Sequence, residues 1–465
     1  MHRIIKDIKQ QILISKFFMN VIKFKGRIVL LVILILALPT FAQKDQDTIT
    51  VSLPKTIEIS LSKSPTIKVA DKEITRVDYS KKEKFASLFP TVSVSGAYQR
   101  ALKKQRMFFS IPGVPSSPDG IEIGQDNTLN AGLSASLPII SPTLWASLKM
   151  TETDAQLVLE TARSSKLSLI NQVTKAYYAV LLTQDSYNVI KKSYDITVEN
   201  ARIIQSKYKQ GTVSEFEWIR ADVQVKNASS NLVSAQSAVN MSILQMKMLM
   251  GIDMFVGLKV EGSLADFESK MYGDVLSIDT TTLKSNTDLK QLDIKTSQLN
   301  QALLVQKAAW WPTLAASFNY TYMSMGNDGS MSKWFPNSTA ALQLSIPIFQ
   351  GGTRVYKEKQ LQIQLSEMKD QRDNLRRGLE LQVISCLDNI KKAIEKISSN
   401  KEGLRQAEKA VAISKKMYEV GSSTYLDLTN SQLAYVSAGL SYNQSIFDYL
   451  SAKSDLEKLL GRDSK

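Results

Sequence analysis

The strongest constraint on this chain of 465 residues is an internal duplication, because the same short motifs occur twice in the same order. A tyrosine, two variable residues and a glycine recur 210 positions apart, and the closing Leu-x-Gly motifs do the same. A repeated series of landmarks predicts two copies of one structural unit. The paired segments are Phe89-Pro90-Thr91 with Trp311-Pro312-Thr313, Ser136-Leu137-Pro138-Ile139 with Ser345-Ile346-Pro347-Ile348, Tyr208-Lys209-Gln210-Gly211 with Tyr418-Glu419-Val420-Gly421, and Leu249-Met250-Gly251 with Leu459-Leu460-Gly461.

Each copy begins with a polar helical stretch and continues with two alternating segments. The helical stretches, about Lys55 to Ser87 and Thr280 to Ala309, stop at the aromatic-Pro-Thr motif, because proline disfavours a helical conformation in the residue before it. The alternating segments place apolar and polar side chains on opposite faces, which predicts strands. They form predicted hairpins over 91–137 and 313–346. The additional residues of the first hairpin fall around Pro112 to Gly124 and indicate a longer loop.

Two long stretches with helical periodicity follow the hairpins. Residues 143–210 contain neither Gly nor Pro, and residues 353–420 contain no Pro. As a continuous helix each would be about 100 Å long, at ~1.5 Å per residue, and such helices need partners along their length. Shorter helices are predicted over 214–250 and 424–460. In each copy, this shorter helix and the opening helical stretch, placed end to end, can pack along one long helix. The predicted architecture is a helical barrel with a strand hairpin at the far end of each pair.

The amino end has the features of a secretory signal peptide. Lys23, Lys25 and Arg27 precede an apolar run from Ile28 to Leu38, and small residues lead to Ala42. That run is too short for a helix across a bilayer, which needs ~20 apolar residues. We expect cleavage near Ala42. Translation would start at Met1 or at Met19. The predicted domains are a signal peptide over 1–42, a first repeat over 43–258, an inter-repeat segment over 259–279 and a second repeat over 280–465.

The rare residue types restrict the chemistry. His2 is the only histidine and Cys386 is the only cysteine. A chain that has lost its signal peptide therefore has no imidazole and one thiol. This excludes intrachain disulfides, histidine-bearing zinc sites and nucleophile pairs that use histidine. The formal net charge is +14, but no Lys/Arg cluster is interleaved with aromatic residues. The rare residue types therefore exclude several classes of enzyme, and we expect no nucleic-acid partner, no metal or other cofactor, and no enzymatic activity.

The alternating segments have the length and weak periodicity of membrane-spanning strands. A soluble two-sided hairpin would show the same alternation, whereas the signal peptide favours an outer membrane. Open strand edges cannot face lipid, so several chains must pool their strands. Two chains would give eight strands with a filled interior, and three would give twelve with room for a conduit. Aromatic residues gather where strand ends should meet lipid headgroups, at Phe89, Trp145, Trp310, Trp311, Trp334 and Phe335.

The ordered motifs together resemble the TolC-like outer-membrane efflux proteins, over almost all of residues 50–465. Phe349-Gln350-Gly351-Gly352, which leads into the second long helix, adds to the resemblance. The resemblance implies a homotrimer with a twelve-stranded β-barrel in the lipid of the outer membrane and an α-helical barrel in the periplasm. It also implies a periplasmic adaptor protein and an inner-membrane transporter of the RND, ABC or MFS type. The implied function is an exit duct for efflux or type I secretion.

Two sets of residues correspond to functional positions of that family. The turns at the ends of the long helices imply adaptor contact at Tyr208, Gly211, Thr212, Tyr418, Gly421 and Ser422. An acidic residue beyond each glycine, with one residue a turn later, implies a periplasmic constriction at Glu217, Asp427 and Asn430. Structural roles are also open, because both glycines suit left-handed helix caps. Ser214-x-x-Glu217 and Thr424-x-x-Asp427 also have the pattern of capping boxes.

Two other functions remain to be separated from a passive export duct. A coiled-coil scaffold or adhesin would use the long helices as spacers and would conduct no ions. A secreted hydrolase would need paired carboxylates or a metal cage in a pocket, and the helical acids show no such grouping. The sequence does not identify the exported cargo.

Overall fold

The computed structural model describes residues 49–108, 120–268, 283–327 and 333–462. The chain divides into two units. The described part of the smaller unit consists of Ile49, Thr50 and Phe255–Lys259, where the Ile49 amide donates to the Gly257 carbonyl. The larger unit contains Val51–Met254 and the chain from Val260 onward. The predicted signal peptide, most of the predicted longer loop and residues 269–279 of the predicted inter-repeat segment lie outside the described residues.

The first repeat has the predicted order of helix, strands, long helix and shorter helix. Pro65 starts a second helix after a break at Ser64, so the opening stretch is two helices rather than one. Proline is compatible with the first turn of a helix, where no amide donor is needed. The elements are β1 (Ile49–Val51), α1 (Leu53–Lys63), α2 (Pro65–Ala86), β2 (Thr91–Arg100), β3 (Gln105–Met107), β4 (Ile121–Ile123), β5 (Asn127–Ile140), α3 (Pro142–Lys209) and α4 (Glu215–Met250).

The second repeat follows the same plan. Its opening helix begins at Thr287, after a short 3-10 turn over Leu283–Ser285, and is thus shorter than predicted. Asn286 caps it by accepting hydrogen bonds from the Asp288 and Leu289 amides. The elements from the end of the first repeat are β6 (Leu258–Val260), α5 (Ala265–Glu268), α6 (Thr287–Ala308), β7 (Thr313–Gly326), β8 (Trp334–Ser345), α7 (Thr353–Glu419) and α8 (Tyr425–Leu459).

The four long strands form one antiparallel sheet in the order β2-β5-β7-β8. Its register places Val94 beside Leu133 and Leu133 beside Tyr320, so the apolar residues of neighbouring strands share one face. The opposite face is polar, and the Ser93 and Ser134 hydroxyl oxygens lie 2.7 Å apart across two strands. Within the part of the chain that the structure describes, strands β2 and β8 each pair on one side only. The sheet is therefore open, with two unpaired edges.

The two repeats pack together through their helices. Helix α3 contacts α2 and α4 of its own repeat and α6 and α8 of the second, and α7 contacts α6 and α8. Each long helix thus has the shorter partners that its length requires. Among the described residues, no helix combines the length and apolar character needed to cross a membrane. The six aromatic residues near the strand ends are all exposed.

The closing Leu-x-Gly motif of each repeat lies against the start of a helix. Gly251 and Gly461 have φ of +67° and +65°, in the left-handed region. A Cβ atom at Gly461 would lie 2.1 Å from the Ser285 carbonyl oxygen, and one at Gly251 would lie 2.7 Å from the Lys63 carbonyl oxygen. Arg163 also donates to the Ser285 and Gly461 carbonyls, at 3.3 and 2.9 Å. The end of one shorter helix is thereby held against the start of another.

Candidate functional site

The two turns that end the long helices have the same backbone geometry. Gly211 and Gly421 have φ of +71° and +78°, which glycine adopts without the strain that a side chain would cause. The amide of the following residue donates back across the turn, from Thr212 to the Lys207 carbonyl and from Ser422 to the Met417 carbonyl, at 3.0 and 2.8 Å. This left-handed motif satisfies carbonyls that a helix end leaves unpaired. Both glycines therefore act as helix caps.

The hydroxyl after each glycine reinforces the same turn. The Thr212 hydroxyl donates to the Lys207 carbonyl at 2.9 Å, and the Ser422 hydroxyl donates to the Met417 carbonyl at 3.1 Å. Thr212, Ser422 and both glycines are exposed. The turns are therefore internally bonded and present their outer surface to solvent, as an adaptor contact would require.

The helices after the turns are capped differently in the two repeats. The Thr424 hydroxyl accepts from the Asp427 amide, and the Asp427 carboxylate accepts from the Thr424 amide, at 3.2 and 3.0 Å. This is a complete capping box. At the equivalent turn, the Ser214 hydroxyl accepts from the Glu217 amide at 3.3 Å, and no reciprocal bond from Glu217 accompanies it among the described contacts. The capping-box pattern is therefore confirmed at Thr424, whereas Ser214 caps its helix through its hydroxyl alone.

The Thr424 hydroxyl also donates to the Asp427 carboxylate, at 2.6 Å. The hydrogen bonds from the Thr424 side chain and backbone lower the pKa of Asp427 below its ordinary value, because they stabilise the ionised form. Asp427 therefore carries its negative charge while it caps α8.

An aromatic cluster packs the two turns against each other. The Tyr208 and Trp218 rings stack with centroids 5.3 Å apart and an interplanar angle of 3°, and the Tyr418 and Tyr425 rings lie 6.0 Å apart. The cluster is formed by both repeats, with buried Ile204, Ala221, Tyr418, Tyr425 and Leu428 and the partly buried Ala201, Val213 and Trp218. The turns that the sequence places 210 residues apart are thus brought together in one bundle end.

Lys207 links the first turn directly to the second. Its Nζ donates to the Tyr418 and Glu419 carbonyls at 3.2 and 3.4 Å, and it lies 4.7 Å from the centroid of the Tyr418 ring. Carbonyls at the end of a helix carry partial negative charge, and an aromatic face attracts a cation. Lys207, in the first repeat, therefore stabilises the carboxyl end of α7, which belongs to the second repeat.

The Tyr418 hydroxyl is buried and has no hydrogen-bond partner among the described residues. Burial raises the pKa of Tyr418 to about 12, and the negative charges of Glu217 and of ionised Tyr425 act in the same direction. An unpartnered hydroxyl in this position costs free energy, because it gives up its bond to water without replacement.

The predicted constriction residues have separate surroundings. Glu217 is half-buried and its charge acts on Tyr418, whereas Asp427 and Asn430 are exposed. Their role in a constriction stays a prediction. Within the described part of the chain, no group of three or more His, Cys, Asp or Glu side chains could hold a metal ion.

Three residues of this bundle end were not singled out from the sequence. Lys207, Trp218 and Tyr425 each contact one of the predicted turn residues. Tyr425 and Trp218 stand at positions that differ between the repeats, with Glu215 and Leu428 as their counterparts. The comparison of repeats therefore passes over them, although an aromatic residue close after each turn is a visible signal.

Comparison with known proteins identifies the family. The model of the family described as "Outer membrane efflux protein" matches residues 56–251 and 280–462, the two repeats of this chain. The chain belongs to the outer membrane efflux protein family. Efflux-family membership places the chain in the outer membrane and accounts for its duplication.

Individual relatives are similar over most of their length. The outer membrane protein TolC of Escherichia coli (strain K12) is 20% identical over 347 residues, which cover 72% of this chain and 70% of TolC. The alkaline protease secretion protein AprF of Pseudomonas aeruginosa is 20% identical over 335 residues, which cover 71% of this chain and 69% of AprF. The crystal structure of the Campylobacter jejuni CmeC outer membrane channel has a TM-score of 0.68 at 17% identity, covering 88% of this chain and 85% of CmeC. This efflux-family chain and CmeC therefore share a fold.

Proposed function

We propose that three copies of this chain form an outer-membrane duct that conducts cargo passively out of the cell. The observation that carries the proposal is the open four-stranded sheet, which has one apolar face, one polar face and two unpaired edges. A barrel pooled from several copies satisfies both edges and turns the apolar face to lipid. Three copies give twelve strands, which leave room for a lumen.

The helical bundle would continue the duct into the periplasm. We propose that it meets a periplasmic adaptor protein and, through it, an inner-membrane transporter of the RND, ABC or MFS type. The relatives support an export role, since AprF is named as a protease secretion protein and another relative as a toxin and drug export protein. The chain would conduct cargo rather than transform it, so we propose no enzymatic activity.

The oligomeric state and conductance test the duct. The full chain is purified from outer membranes in detergent, its mass is measured by native mass spectrometry, and its conductance is measured in planar bilayers. Particles of three copies that conduct ions are expected. Monomers, or assemblies that conduct no ions, would contradict the duct and would favour a scaffold or adhesin.

The adaptor contact is tested separately at the turns. A photo-crosslinking amino acid replaces Ser422 or Thr212 in cells, and replaces Lys392, an exposed residue within α7, as the matched control. We expect a crosslinked product with the adaptor from the turn positions only. Equal crosslinking from Lys392, or none from either turn, would contradict adaptor contact at the turns.

A further inference from the structure

The polar face of the sheet is organised in rows that cross all four strands. Register places Ser93, Ser134, Asn319 and Thr339 in one row. The rows on either side hold similar groups. They are Ser95, Gly132, Thr321 and Asn337 on one side, and Thr91, Ser136, Ser317 and Ala341 on the other. Every side chain in these three rows is a hydroxyl, an amide, a methyl group or a hydrogen atom.

One charged residue occurs in the four strands, Arg100 at the last position of β2. Alternation along the strand puts Arg100 on the face of Val94 and Tyr98, which is the apolar face. The polar face is therefore electrically neutral along the full length of the described strands. Its polarity comes from dipoles only.

Neutral dipoles interact with ions differently from charged rings. Channels that select by charge use rings of carboxylates for cations or of Lys and Arg for anions. A hydroxyl or an amide both donates and accepts hydrogen bonds, so it can solvate either sign of charge. Twelve strands lined in this way would place no net charge around a passing ion.

Resting on the proposed duct, we infer that its membrane section does not discriminate between cargo of opposite charge. Cations, anions and zwitterions cross it equally, and any charge preference of the whole duct originates outside it. Charged groups are found beyond this section. At the far end of the hairpins, Lys104 pairs with Asp126 at 3.1 Å, and at the helix ends Glu217 and Asp427 carry carboxylates.

The local electrostatic potential can be measured with charged thiol reagents. Cys386→Ser removes the only cysteine, and Ser317→Cys or Ser134→Cys then places one thiol on the polar face. Each variant is modified in outer membranes by a cationic and an anionic methanethiosulfonate. The rate with the cationic reagent is divided by the rate with the anionic one. This ratio is then divided by the ratio measured with the free thiol 2-mercaptoethanol, which corrects for the different intrinsic reactivity of the two reagents. A ratio within about threefold of unity is expected, which corresponds to less than ~0.7 kcal/mol.

A tenfold or larger bias toward either reagent at Ser317→Cys or at Ser134→Cys would overturn the inference. Asn319→Asp in the Ser317→Cys chain calibrates the assay with a known charge. Residue 319 lies two positions from residue 317 on the same face of β7. The added carboxylate is expected to raise the cation-to-anion ratio about sevenfold, as a unit charge ~7 Å away does for oppositely charged reagents in water.

Leu133→Cys, on the apolar face, separates this inference from the duct itself. If the polar face lines water and the apolar face meets lipid, both reagents modify Ser317→Cys and neither modifies Leu133→Cys. Modification of Leu133→Cys in place of Ser317→Cys would contradict the orientation of the sheet, and with it the duct and the inference together. A strong charge bias at Ser317→Cys, with Leu133→Cys protected, would leave the duct intact and overturn the inference alone.

Discussion

At the scale of single residues, the glycines that close the repeats hold conformations that other residues cannot take without strain. Gly461 has a positive φ, and its backbone approaches Ser285 so closely that an added Cβ would lie 2.1 Å from a carbonyl oxygen. The obstacle is backbone rather than a flexible side chain, so it cannot move aside cheaply. Gly403, in the middle of α7, has nothing within 4 Å of such a Cβ.

Gly461→Ala is therefore expected to destabilise the chain, and Gly403→Ala is not. The positive φ alone costs about 1–3 kcal/mol for a residue with a side chain, and the contact with Ser285 adds to this. In the helix interior, alanine is favoured over glycine by about 0.5–1 kcal/mol. Thermal unfolding in detergent, followed by circular dichroism, measures both variants. Equal midpoints for the two would contradict the close packing at Gly461.

Tyr418 offers a second residue-scale prediction, because its buried hydroxyl lacks a partner among the described residues. Tyr418→Phe removes that hydroxyl and keeps the ring, so stability is expected to stay equal or to rise by up to about 1 kcal/mol. Tyr418→Ala removes the ring from the cluster and is expected to cost about 3–5 kcal/mol. Thermal midpoints at neutral pH test both. A Phe variant as unstable as the Ala variant would show that the hydroxyl makes a stabilising bond.

The same hydroxyl makes a prediction about alkaline pH. The pKa of Tyr418 is raised in the folded chain from 10.0 to about 12. The stability that comes from its neutral form is fully present below pH 10 and is lost as the pH rises through about 12. Tyr418→Phe does not titrate, so its advantage over the natural chain should grow across this window. Midpoints that fall in parallel from pH 10 to 12 would contradict the raised pKa.

The residue scale also shows what the sequence could predict. The Tyr-x-x-Gly pattern indicates left-handed glycines, because glycine adopts a positive φ without steric cost. The burial of Tyr418 could not be predicted, since it depends on Ile204 and Ala221, which the other repeat supplies. The role of Lys207 could not be predicted for the same reason, because its acceptors lie at the end of the other long helix.

At the scale of elements, the two helices that follow the turns differ in how they begin. Helix α8 starts with reciprocal bonds between Thr424 and Asp427, and α4 starts with a single bond to Ser214. Loss of a capping hydroxyl typically costs ~1 kcal/mol. Thr424→Ala should cost more than Ser214→Ala, because it leaves the Asp427 carboxylate with fewer donors. Amide exchange over the first turn of each helix measures the difference, and equal effects would show that the Asp427 bonds add nothing.

Acid pH should affect the same helix start. The pKa of Asp427 lies below its ordinary value of 3.8 in the folded chain. Its stabilising contribution is therefore present above that value and is lost as the pH falls through the lowered pKa. Amide exchange over the first turn of α8 is compared between the natural chain and Asp427→Ala. The difference between the two is expected to shrink as the pH falls through the lowered pKa of Asp427. A difference that persists unchanged in strong acid would contradict the role of the charged form.

Element boundaries followed from local signals to different degrees. Helix α3 runs over Pro142–Lys209, against a predicted 143–210, because turn residues mark both of its ends. The break at Ser64 does have a local signal in Pro65, because proline disfavours a helical conformation in the residue before it, and Ser64 has an extended ψ of +131°. The pairing of β5 with β7, which joins the hairpins, has no local signal at all, since strand order depends on contacts between the repeats.

At the scale of the whole molecule, the free edges of the sheet belong to different strands. Strand β2 of one copy can meet β8 of the next, which is a heterologous contact, and such contacts close into a ring when the rotation fits. One copy carries an open sheet, whereas a closed ring has no edge. The stability of the membrane section is therefore expected to depend on assembly.

The same arrangement makes a prediction about which parts of the chain are accessible from outside the cell. Lys103, beyond the end of β2, and Thr212, in the first helix turn, are both exposed. In the Cys386→Ser chain, an outer-membrane-impermeant maleimide should label Lys103→Cys on intact cells, because the hairpin ends face outward in the proposed duct. Thr212→Cys should react only after the outer membrane is permeabilised, because the helix turns lie in the periplasm. Labelling of Thr212→Cys on intact cells with Lys103→Cys protected would require the opposite orientation, and the turns could then not meet a periplasmic adaptor.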